Sequence, residues 1–221
     1  MPTLKSKIEK IKRTHYIVTG FLFVATLLFC CYTATDLKLV KTSLSHFGIY
    51  NNIGVLWNAS VFLIGVTLFI EAYLNIKKYS YGNWLLCLFS VSIFCLLLTA
   101  TINMKHAIHF YTAYIYFIGF TICMFLFGFL LIKTDFRIGI TSIIISLLSL
   151  IAPIGILMYL GSFAIPELTH TLFVFVWMII IRFETAYKKV LKRLALTAET
   201  SNIIEQKESF HVLASESSIE S

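Results

Sequence analysis

Two short spacings in the 221-residue chain could do chemistry. His106-Ala-Ile-His109 sets two imidazoles three residues apart, and Glu167-Leu-Thr-His170 does the same for a carboxylate and an imidazole. In a helix, residues at i and i+3 share a face. Imidazole and carboxylate are ligands of zinc and iron. With His46 arriving from a connecting segment, they could surround a divalent ion and leave one position open for an activated water. The metal candidates are therefore His46, His106, His109, Glu167 and His170. Two points weigh against a metal. Glu-x-x-His occurs once, whereas di-iron bundles use it twice, and there is no HExxH. Histidine also suits a membrane interface, with its ring against lipid and its polar tip in water. Interfacial or hydrogen-bonding histidines with no resident cofactor are the simpler expectation, and a zinc or iron site is the sharper alternative.

The elements that must position these residues follow from composition. The chain is 58% hydrophobic and 13% charged, with a mean hydropathy of +0.86. That leaves too few polar side chains to cover a water-soluble surface. Six apolar segments are long enough to cross a bilayer: Tyr16–Ala34, Ile53–Leu74, Trp84–Ile102, Ile108–Ile132, Ile138–Leu160 and Leu168–Ala186. They are continuous rather than alternating, so helices, which satisfy their own backbone groups, are expected and a barrel is not. The first run is longer than the core of a signal peptide and no small-residue cleavage site follows it, so it is read as a retained span.

Counting Lys and Arg on alternate sides places fifteen with the two termini and only Lys38, Lys41 and Lys105 opposite. Basic flanks stay cytoplasmic, so both termini are expected there. The expectation is an all-α, six-helix polytopic bundle in a cell membrane: the plasma membrane, or the inner membrane in a bacterium. Residues 1–15 form a basic cytoplasmic amphipathic segment, 16–187 the transmembrane domain, and 188–221 a juxtamembrane helix followed by a disordered, Ser- and Glu-rich tail. The net charge of +7 is explained by this topology, with no aromatic-interleaved patch for nucleic acid. The five cysteines all fall in apolar runs and form no CxxC pair or disulfide framework.

With this topology, polar residues from five stretches of chain reach the outer face: Asp36, Ser45, His46, Asn58, His106, His109, Glu167 and His170. Polar groups near or within a bilayer are costly unless paired or hydrated, so this cluster is the candidate binding site. The first outer connection, Thr35–Asn52, is rich in apolar residues and is expected to pack over the bundle mouth. Asn58 is expected to bond a neighbouring helix or that connection. Pro153 and Gly155 could kink the fifth helix and widen the bundle.

The run Leu44-Ser45-His46-Phe47-Gly48, followed by Leu56-Trp57-Asn58 and Gly65, resembles the six-helix membrane family DUF998, distantly related to the Frag/DRAM/Sfk group. His109 with Ala113, and Gly161 with Glu167 and Trp177, match two further elements of that family; Leu168 stands where its Glu-Arg element has Arg. The likeness covers Tyr16 to Ala186. It implies a six-helix topology, and its distant relatives are associated with membrane-lipid organisation and remodelling. The leading expectation is a non-enzymatic module that binds a lipid or other amphiphile through its outer mouth, or an accessory subunit that meets other membrane proteins. A metal-dependent lipid hydrolase or transferase is the alternative. A small-solute transporter would need a polar route to the cytoplasmic side, which the sequence does not show.

Overall fold

The structure is a computed structural model that describes residues 4–34, 42–50, 53–76, 82–184, 187 and 194–195, with the backbone alone for 4–16. It divides into two units, Met1–Met178 and Ile179–Ser221. In the second unit the described residues are helical. All that follows concerns the first. Asp36, the side chains of the basic N-terminal segment, and nearly all of the juxtamembrane helix and tail lie outside the described residues.

Among the described residues every element is helical. In chain order they are α1 (Leu4–Thr33), a short 3₁₀ helix (Leu44–Ile49), α2 (Gly54–Ile76), α3 (Gly82–Thr101), α4 (Ala107–Leu131), α5 (Phe136–Leu160) and α6 (Ala164–Glu184). The last five α-helices are each long and apolar enough to cross a membrane. The apolar part of α1 that is described, Ile17–Thr33, is shorter, at roughly 25 Å of helix. The chain is thus a helical bundle with the composition of an integral membrane protein.

Helices consecutive in the chain pack on one another from α1 to α5. α6 is tied in by Trp177, whose indole stacks on Phe89 at 5.9 Å and meets the edges of Phe120 and Phe127 at 6.1 and 5.7 Å. Its Nε1–H donates to Ser142 Oγ at 2.9 Å, so one large side chain joins α3, α4 and α5 with no polar atom stranded. At the turn between α4 and α5 the backbones touch. A Cβ on Gly128 would lie 2.7 Å from the Gly139 carbonyl oxygen, and a Cβ on Gly139 would lie 2.8 Å from Ile132 Cα. Only glycine permits that approach.

α6 begins four residues before the expected Leu168, because Pro166 and Glu167 lie in its first turn rather than in a loop. The first amides of a helix have no helical partner, so proline loses nothing there, and a carboxylate gains from the helix dipole. The α5–α6 connection turns at Gly161, which caps α5 at φ 65° while its N–H reaches Leu157 O at 2.8 Å. The Ala164 amide then donates to Thr42 O at 2.9 Å, which ties the start of α6 to the first connection.

Candidate functional site

A cavity of about 400 Å³ lies among α4, α5, the start of α6 and the segment 42–46. Its walls are apolar, with Phe110, Phe117, Ile118, Leu150, Ile154 and Leu157 among them. Polar residues sit on the connecting segments, Ser43, Ser45, His46 and Ser162, and further in, where Thr121, Ser149 and His170 meet. A second cavity of about 90 Å³ lies between the 3₁₀ helix, α2, α3 and α4. Ser45, Met104, His109, Ala113, Phe117 and Glu167 line both, so they form the partition between them.

The 3₁₀ helix is fixed over this partition by its apolar residues. Leu44 and Phe47 are buried, and Phe47 lies 5.2 Å from the Trp57 ring. The polar ties are the Glu167 carboxylate, whose Oε2 accepts from the Leu44 amide at 2.7 Å, and Asn58 Nδ2, which donates to Gly48 O at 3.3 Å. Asn58 thus bonds the first connection, one of the two roles expected of it. The apolar residues of that connection serve as packing within the described part.

The candidate residues are brought into one region but not around one point. Ser45 lies on the partition, half-buried. His46 Nδ1 accepts from the Ser43 amide at 3.2 Å and meets Ser43 Oγ at 3.0 Å. Since an amide only donates, that nitrogen carries no proton. His109 is 4% exposed, with Nδ1 at 2.9 Å from Ile102 O. A carbonyl only accepts, so Nδ1 carries a proton, and in the neutral ring Nε2 presents a lone pair. His106, three residues earlier, is exposed at the N-cap of α4 and lines neither cavity. The shared helix face expected of the His106–His109 pair is therefore not used in common. Glu167 and His170 also diverge: Glu167 reaches Leu44, while His170, 3% exposed, reaches Thr121 with Nε2 at 3.1 Å. Among the described residues no group of three His, Cys, Asp or Glu could hold a metal ion.

His170 heads a hydrogen-bonded chain that was not anticipated. Ser149 Oγ donates to Ser146 O at 2.8 Å, so its proton is committed. Thr121 Oγ1, 3.3 Å from Ser149 Oγ, can then donate to it and accept from His170 Nε2–H, leaving no donor unused. The sign was present in α5, where Ser142, Ser146 and Ser149 recur at helical spacing in an apolar run and all three are buried. Pro153, four residues on, has no N–H for the Ser149 carbonyl and itself lines the cavity.

Buried polar atoms are nearly always hydrogen-bonded. Among the described residues three buried side-chain atoms have no partner: His109 Nε2, Ser162 Oγ and His170 Nδ1. All three residues line the larger cavity. No family model, curated protein or solved structure matches the chain.

Proposed function

We propose that this is a six-span membrane protein with both termini cytoplasmic, and that its larger cavity binds a membrane lipid or other amphiphile without transforming it. The observation that carries the reading is the cavity itself: about 400 Å³, walled by apolar side chains, and lined by every residue, among those described, whose buried polar atom lacks a partner. That volume is in the range of small-molecule sites. An apolar wall with a few convergent polar groups selects a molecule that is itself part oil and part polar.

Kinship with DUF998 belongs to the same proposal. Of the residues that carry the resemblance, Ser45, His46, Asn58, His109, Gly161 and Glu167 each line one cavity or both, while Phe47, Leu56, Gly65 and Trp177 line neither.

The test is purification of the full chain with its native lipids, followed by mass spectrometry of what remains bound after detergent exchange. One enriched amphiphile, lost when Ala113→Trp fills the partition, is the expected result. A bound population that merely mirrors the bulk lipid, unchanged by that substitution, would reject the reading. Zinc and iron measured on the same sample address the alternative of a metal-dependent lipid enzyme, which requires stoichiometric metal.

A further inference from the structure

We propose that the occupant of the larger cavity is a cationic amphiphile, an alkyl chain ending in a protonated amine whose N–H donors seat on Glu167 and His109. This rests on the amphiphile-binding reading and names the chemistry of the polar end.

The charge inventory is one-sided. Among the described residues neither cavity is lined by a lysine or an arginine, while both are lined by Glu167. One carboxylate oxygen of Glu167 accepts from the Leu44 amide, and the other has no partner among the described residues. A carboxylate held away from water is costly unless a cation neutralises it or it takes up a proton. An anionic head group such as a phosphate would set a second negative charge beside the first, with no cation among the described lining residues to offset either. A hydroxyl head group would supply one donor and leave the charge.

The hydrogen-bond inventory points the same way. His109 spends its ring proton on Ile102 O and leaves a buried lone pair at Nε2. His46, with its Nδ1 filled by Ser43, has its N–H at Nε2, on the wall of the larger cavity and off the partition. The partition therefore offers acceptors in excess of donors, and an ammonium group brings three N–H donors together with a positive charge. The rings of Phe110, Tyr114 and Phe117 line the same space and favour a cation over their faces. Beyond them Ile118 and Ile154 line the cavity and are 51% and 48% exposed, so the alkyl tail has an apolar route outward between α4 and α5.

The test uses the full-length protein in an uncharged maltoside detergent and three probes of one chain length: hexadecylamine, hexadecanol and hexadecyl phosphate. Native mass spectrometry reads occupancy against concentration for the wild type and for Glu167→Gln, whose amide oxygen still accepts from Leu44. Expected is amine binding at least about tenfold tighter than either other probe, a preference that Glu167→Gln cuts to about twofold while alcohol binding is unchanged. Alcohol or phosphate binding as tightly as amine, or an amine preference that survives Glu167→Gln, would overturn the inference and leave amphiphile binding standing. Failure of all three probes to bind would overturn both. The wild-type comparison decides the matter even if the variant does not fold.

Discussion

Thr121 occupies the position on which the buried polar chain depends, since His170 Nε2 and Ser149 Oγ both meet its hydroxyl. Valine has nearly the same shape and no hydroxyl. Thr121→Val should therefore lower stability by about 1–3 kcal/mol, because the buried His170 imidazole and Ser149 both lose the hydroxyl they meet. Ser149→Ala should cost less, about 1 kcal/mol, since Thr121 can still receive His170. Thermal unfolding in detergent ranks the two, and a Thr121→Val protein no weaker than Ser149→Ala would show that the chain is not formed. Glu167 supports a second prediction. Glu167→Ala removes the acceptor from the Leu44 amide, whereas Glu167→Gln replaces it, so amide exchange over residues 43–48 should rise in the first variant and hold in the second. Equal exchange in both would detach Glu167 from the 3₁₀ helix. Residue types at this scale were legible in the sequence, and their partners were not. A spacing of three says that two side chains leave a helix on one side, but His106 and His109, and likewise Glu167 and His170, reach different partners because each meets a different neighbouring element.

α4 and α5 are pinned at one end and apart at the other. Gly128 and Gly139 bring their backbones into contact beside the turn at residues 132–135, and the cavity opens in the half lined by Ala113 to Thr121 on α4 and by Ser149 to Leu157 on α5. A methyl group on either glycine must push backbone away, because the atoms it meets are the Gly139 carbonyl, Ile143 N or Ile132 Cα rather than the end of a flexible side chain. Gly139→Ala should thus cost about 1–3 kcal/mol in thermal unfolding, the usual range for overpacking, and should alter amphiphile binding although it touches no lining residue. Gly155→Ala is the matched control on the same helix: nothing lies within 4 Å of its added methyl, so stability should hold or rise slightly. If the two variants behaved alike, the contact at Gly139 would have no weight. The helices themselves were legible, since apolar runs long enough to cross a bilayer have little choice but to be helical. Their rotation was not. A helix apolar on every side gives no amphipathic face from which to read what turns inward, and the serine stripe of α5 was the exception that had that information. The early start of α6 was hidden for a different reason: Pro-Glu reads as a break in hydropathy, yet it is well suited to a first helical turn.

For the whole molecule, the number of spans decides whether the two termini share a compartment. Five helices are long and apolar enough to cross a membrane, and the apolar stretch described in α1 is shorter. If α1 crosses, the termini share a side; if it lies at the surface, they face opposite compartments. Two facts favour crossing. Cys30 and Ala34 near its end are buried, and Thr19 is buried with its hydroxyl 2.9 Å from Thr67 Oγ1 on α2, so α1 packs along the bundle over several turns. Its opposite side is lined by exposed Phe21, Val24 and Leu28, a surface that lipid would cover. With α1 crossing, fifteen of the eighteen Lys and Arg would fall on the side of the termini, which supports the proposed cytoplasmic placement. Reporters fused separately to each end, read in intact cells and in inverted vesicles, should both be cytoplasmic. Opposite sides would remove α1 from the count and void the six-span proposal. Reversing the bias gives a stronger test: replacing Lys5, Lys7, Lys10, Lys12 and Arg13 with glutamine should produce a mixed population of orientations. A fully retained orientation would assign topology to the basic residues after α6 and not to those before α1.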